Sequence, residues 1–157
     1  MADFCFNVSL GRVAELYHRV KIGDPSGCAL VIVALAAAGI ESDAVLKDKD
    51  TLADVVAGST NEATNAGYSR RALGSIDLVA LAPDDVNDRL DLDIPDQTWT
   101  NVQSAGGAWA KLVICYRPAA ASADSAIIPM TCHDFAVTPD GSNIVMQVDA
   151  AGFFRAT

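Results

Sequence analysis

Ala29-Leu30-Val31-Ile32-Val33-Ala34-Leu35 is the stretch whose reading decides the fold. It is apolar throughout and rich in β-branched residues, without the alternation of a half-exposed strand, which is the pattern of a strand covered on both faces. It predicts the centre of a sheet. The apolar run that contains it, Cys28 to Ile40, spans 13 residues. That is short of the roughly 18 to 20 a membrane helix needs.

Before the strand, Leu10, Val13, Leu16, Tyr17 and Val20 share one helical face while Arg12, Glu15, Arg19 and Lys21 lie elsewhere. The spacing predicts an amphipathic helix from an N-cap at Ser9 through about Ile22, closed by Gly23-Asp24-Pro25-Ser26-Gly27. Phe4-Cys5-Phe6-Asn7-Val8 alternates, and fits an edge strand or an arm that lays Phe4 and Phe6 on a neighbour. After the strand, Lys47-Asp48-Lys49-Asp50 separates two apolar groups between Asp43 and Ala57. One helix would fit there, and so would a turn followed by a short helix from Asp50, with Gly58 closing either.

Beyond the polar loop Ser59 to Asn65 the chain is written in short strands: Tyr68 to Leu73, Asp77 to Leu81, Asp88 to Ile94, Lys111 to Tyr116, Ile127 to Phe135 and Asn143 to Val148. Pro83, Gly106-Gly107, Pro118 and Pro139-Asp140-Gly141 mark the corners between them. The predicted class is α+β, mainly β: an antiparallel β-sandwich or barrel-like domain with the N-terminal amphipathic helix and one further short helix. Residues 1–157 are expected to form a single domain, with 1–8 as arm or edge strand, 9–58 as a helix-strand-helix part and 66–157 as the β-rich part. At 157 residues and 16.4 kDa, such a chain buries about two-thirds of its unfolded surface in one core.

The net charge of -9 and pI near 4.4 disfavour nucleic acid, which binds clustered lysine and arginine. Arg70 and Arg71 are adjacent, and in a strand they point to opposite faces. Met1-Ala2-Asp3-Phe4 lacks the basic start of a secretory leader, so Cys5, Cys28, Cys115 and Cys132 are expected as reduced thiols.

Leu90, Leu92 and Ile94 alternate with Asp91 and Asp93, the pattern of a strand with one buried and one acidic face. Aspartates at 84, 85, 88, 91, 93 and 96 invite calcium, but Arg89 stands where a ligand belongs, and neither the glycine nor the closing glutamate of an EF-hand is present. Cys132-His133-Asp134 has the residue types of a nucleophile, base and orienting acid. Successive strand residues face opposite ways, however, so the thiol and imidazole are expected apart. The cysteines and histidines show no short spacing for zinc, and Ala105-Gly106-Gly107-Ala108 reads as a turn with no phosphate-binding lysine after it. No catalytic residue, cofactor or metal is predicted. Trp99 and Trp109 are expected in the core or at an interface, with stacking on a sugar as the other use.

Thr64 to Arg70, Asp84 to Trp99, Leu112 to Tyr116 and His133 to Gly141, together with Phe6 to Val13 and Gly152 to Ala156, resemble small virion proteins of tailed bacteriophages and prophages. The resemblance covers nearly the whole chain, rests on core and turn residues, and implies a structural role in the virion with no active site. Members of such families include head-decoration and tail-fibre proteins. The acidic charge disfavours contact with packaged DNA, so a capsid decoration (cement) protein on the outside of the head is the expected role. Its partners would be the major capsid protein or other virion proteins and further copies of itself, with no membrane. A tail or head-fibre protein is the nearest alternative, and a glycan-binding β-sandwich module one of another class. Interface candidates are Phe4, Phe6, Arg70, Arg71, Trp99, Trp109, Phe153 and Phe154, with ordinary core packing the other expectation for the phenylalanines.

Overall fold

The computed structural model describes residues 3–157. In chain order the elements are β1 (Phe4–Cys5), α1 (Val13–Ile22), β2 (Ala29–Ala36), α2 (Asp43–Lys47), α3 (Leu52–Val55), β3 (Arg71–Leu73), β4 (Leu90–Leu92), β5 (Gln97–Trp99), β6 (Trp109–Arg117), β7 (Ile128–Val137), β8 (Ile144–Met146) and β9 (Phe154–Ala156). The chain is α+β and mainly β, as its pattern predicts. Five strands form one antiparallel sheet in the order β1-β7-β6-β2-β3.

All eight residues of β2 are buried, because the sheet is covered on both faces. Leu30, Ile32 and Ala34 face a core completed by Leu112, Ile114, α1 and the aromatic residues Trp99 and Trp109. Val31, Val33 and Leu35 face a second core with Val113, Cys115, Cys132, Leu46, Leu52, Val55 and Phe6. Strand periodicity sorts neighbouring residues into opposite layers. The sandwich-like second layer comes in pieces: α1 and two ribbons, β4 with β9 and β5 with β8. Parts 9–58 and 66–157 interleave, since β2 lies between β6 and β3.

Several boundaries differ from the sequence-based expectation. Ser9 is not the helix cap: its buried Oγ donates to the Pro129 carbonyl at 2.6 Å, tying a 3-10 turn at Asn7–Ser9 to the sheet. The helix begins at Val13 after Arg12, which supplies no side-chain cap. Its end is as read, with Gly23 at φ 71°. There the Gly23 N–H reaches Val20 O at 3.1 Å and the Asp24 N–H reaches Arg19 O at 3.0 Å, the paired bonds of a Schellman motif. Two further short helices form where one was expected, the second started by a capping box in which Thr51 and Asp54 exchange bonds.

Asp77 to Leu81 is not a strand. Lys21 Nζ donates to the carbonyls of Ser75 at 3.2 Å and Leu78 at 2.8 Å, and the Tyr17 hydroxyl lies between the carbonyls of Val79 at 3.1 Å and Asp93 at 2.8 Å. The loop therefore takes its hydrogen bonds from α1. β5 and β9, three residues each, are too short for a period-two signal and were not expected.

The β4–β9 ribbon depends on Gly152, which sits at φ 79° while Phe153 N–H donates to Leu92 O at 2.9 Å. A Cβ built on Gly152 would lie 2.1 Å from that Leu92 oxygen, so both the backbone conformation and the space exclude a side chain. Gly152→Ala is expected to cost about 2 kcal/mol or more, read as a lower denaturant midpoint with an unchanged slope.

Candidate functional site

The residues expected to meet partners or substrates are largely spent inside the fold. Trp99 and Trp109 are 0% and 1% exposed and meet edge to face, with ring centroids 5.4 Å apart at 87°. Trp99 Nε1 donates to Ser69 O at 2.7 Å and Trp109 Nε1 to Asn65 Oδ1 at 2.8 Å. Their polar handles are satisfied internally, so neither ring is presented to a sugar or a partner. Phe6 is fully buried and Phe4 nearly so. β1 is an edge strand of this sheet, with Phe4 opposite Cys132, not an arm reaching a neighbour. Of the eight interface candidates, Phe153 and Phe154 keep partial exposure, as do the two arginines.

Arg70 and Arg71 do face opposite environments, and both are engaged. Arg70 donates to both oxygens of Glu62, at 2.6 to 3.1 Å, and to both of Asp124, at 2.6 and 2.8 Å. These bonds, to Asp124 first and Glu62 second, push its pKa up and hold Asp124 below the usual carboxylate range. Glu62 also accepts from Tyr68, whose hydroxyl takes the Ala34 N–H at 3.0 Å. Burial pushes that hydroxyl's pKa up. Arg71 lies 5.5 Å over the Trp99 ring and donates to the Thr98 carbonyl. Both arginines fasten the β3 edge.

The acidic segment is likewise internal scaffolding. Asp84 accepts from the Val86 and Asn87 backbones and from the Asn87 side chain, and the Asn87 bond above all lowers its pKa. Asp91 meets Arg155 at 2.5 Å and Arg89 at 3.3 Å, and is lowered chiefly by Arg155. Leu92 and Ile94 are buried and Leu90 is half-buried, as the alternation predicts. Among the described residues no group of three or more His, Cys, Asp or Glu side chains is placed to hold a metal ion.

Cys132 and His133 point to opposite faces. Cys132 is fully buried in the second core, and burial pushes its thiol up to about 12. The His133 ring instead pairs with Asp3 at 3.1 Å and Thr131 Oγ1 at 2.9 Å. Thr131, His133 and Asp3 form a hydroxyl-imidazole-carboxylate chain, yet Thr131 is 3% exposed.

Lys111 belongs to none of the sites that the sequence pattern predicts. It stands on β6 with a fully buried side chain, and its ammonium lies 2.5 Å from Asp134 and 3.0 Å from Asp43. Burial, the largest influence, lowers its pKa. The hydrogen bonds to Asp134 and Asp43 outweigh this and leave it raised. The signal was present: a lysine inside Trp109-Ala110-Lys111-Leu112-Val113 must find partners if the strand is covered on both sides.

One cleft of about 260 Å³ opens beside His133, between β7 and the segment leading from β8 to β9. No helix among the described residues is long and apolar enough to cross a membrane. No protein-family model matches the chain, and neither a curated protein nor a solved structure does.

Asp84, Asp91 and Asp124 have folded pKa values below their unfolded ones, so they add stability above about pH 4, and that stability is lost as pH falls through the folded values. Asp124→Asn is expected to lower the denaturant midpoint at pH 7 and to change it far less at pH 2. A thiol reagent added to the native protein is expected to leave Cys115 and Cys132 unmodified until denaturant unfolds the chain, counted by intact mass.

Proposed function

We propose that the chain is a structural component of a tailed-bacteriophage virion, a decoration protein that binds the outer surface of the capsid and stabilises it. The resemblance over most of the chain supports this reading. The observation that carries it is how apolar surface is held. Ile76 and Val86 are 96% and 91% exposed, with Val79 and Ile22 more than half exposed, and they stand on braced backbone. The loop bearing Ile76 and Val79 is pinned to α1 by Lys21 and Tyr17, with Ser75 Oγ donating to Lys21 O at 2.5 Å. The turn bearing Val86 is built on Asp84.

Aliphatic side chains fixed in water are unfavourable for a free monomer and favourable once covered. Each such contact is small, but symmetric copies on a shell multiply small contacts into tight binding. The net charge of -9 keeps such a protein off packaged DNA and steers it toward basic patches of a shell. The major capsid protein is the partner this reading names, with further copies of the chain as neighbours.

The test is direct. Recombinant protein is mixed with mature and with unexpanded cognate heads and imaged by electron microscopy; density on mature heads alone is expected. Ile76→Asp combined with Val79→Asp is expected to reduce occupancy at least tenfold, about 1.4 kcal/mol, with an unchanged denaturant midpoint because both residues are exposed. Antibody label found only on tails would assign the chain to the tail, and no binding to either particle would remove the virion reading.

A further inference from the structure

The cleft beside His133 has a composition that names its occupant. Its floor is apolar, formed by Leu112 and Ile114 of β6 and Met146 of β8, and Phe135 and Phe153 add aromatic walls. Every charged side chain of fixed sign that lines it is acidic: Asp3, Asp134 and Asp149, with no lysine or arginine. Asp134 is engaged with Lys111, which leaves Asp3 and Asp149 at the mouth, both on exposed residues.

The walls are built, not incidental. Phe153 is held by its backbone bond to Leu92 at 2.9 Å and packs against the His133 ring at 6.4 Å, edge to face. Asp149 is set by the turn that it closes, accepting the Ala151 N–H on Oδ1 at 2.8 Å. Asp3 is oriented by the Asp134 N–H at 3.0 Å and by His133 at 3.1 Å. An apolar slot ending in carboxylates matches a side chain with an aliphatic stem and a cationic head. The aromatic walls favour the same cation.

We propose that this cleft receives a lysine or arginine side chain of a partner protein, its stem against Met146 and Phe153 and its cationic head between Asp3 and Asp149. The biological meaning rests on the docking role proposed above, which it makes specific: the partner presents a protruding basic residue. A neutral apolar side chain would fill the floor and leave the negative charge of the two hydrogen-bonded carboxylates uncompensated. An acidic one would be repelled.

The experiment uses the isotopically labelled full chain at pH 8 with four capped tripeptides whose central residue is lysine, arginine, norleucine or glutamate. Lysine or arginine peptide is expected to shift the backbone amides of His133 and of residues 146–153, and norleucine and glutamate peptides to bind at least tenfold more weakly. The double variant Asp3→Asn with Asp149→Asn is expected to lose at least fivefold of the lysine affinity, and the Asp85→Asn variant, which removes an exposed carboxylate outside the cleft, to keep it. Equal binding of norleucine and lysine, or no shift up to the solubility limit of the peptide, would overturn the proposal. So would lysine binding indifferent to both carboxylates. Heads bound without lysine-peptide binding would remove the cleft and leave the decoration role; lysine-peptide binding without heads would do the reverse.

Discussion

The double burial of β2 is the constraint on which the rest depends. A strand with eight consecutive buried residues needs hydrogen-bonding neighbours on both edges and an apolar cover on both faces, because an uncovered face would leave its aliphatic side chains in water. β6 answers one edge over nearly the whole strand, and short β3 answers part of the other. Where β3 ends, the loop after α3 takes over: Ala63 N–H bonds Ala34 O at 2.9 Å and Ala36 N–H bonds Asn61 O at 2.9 Å. The Tyr68 hydroxyl supplies the Ala34 N–H with its acceptor. The edge is closed by whatever backbone and side chain reach it.

Charge is organised around the same sheet. Lys111 sits on the neighbour of β2, where an unpaired ammonium would be costly, and Asp43 from α2 and Asp134 from β7 converge on it. That trio joins the helical layer to the sheet. Arg70 joins the outer loop to the 3-10 turn Asp124–Ala126 through Glu62 and Asp124. On the ribbon side, Asp91 takes Arg155 across the β4–β9 pair. The arginine pairs, exposed or half-exposed, contribute little stability each, but they fix which segments lie side by side. A chain with so strong an acidic excess thus uses much of its basic complement to hold itself together, which leaves the surface negative.

Much of the architecture was legible because strand burial writes itself in composition. The non-alternating run at Ala29 to Leu35 announced the centre, and the alternation at Leu90 to Ile94 announced a surface strand. Asp77 to Leu81 looked like a strand for the same local reasons and is not one. Its hydrogen bonds go to Tyr17 and Lys21, and no local pattern reveals a bond to a helix some 55 residues away in the chain. Ser9 failed as a cap for a related reason, since its hydroxyl was claimed by Pro129. Of the interface candidates, the two tryptophans and Phe4 and Phe6 went to the core, as few and large aromatics tend to. The cleft beside His133 was invisible because its walls come from β6, β7 and the segment after β8.

The amino-acid sequence by itself determined the composition of the layers: an apolar central strand, an amphipathic helix, an acidic surface and glycines where the backbone must turn left-handed. Those are local properties, carried by side-chain polarity and backbone freedom within a few residues. Only the tertiary structure decided which groups would meet. Two aspartates far apart in the chain were brought to Lys111, a histidine was turned from its neighbouring thiol toward Asp3, and two phenylalanines were set beside carboxylates at the mouth of a cleft. The physical reason is that pairing depends on distance in space, and a sheet brings together residues that sequence spacing keeps apart.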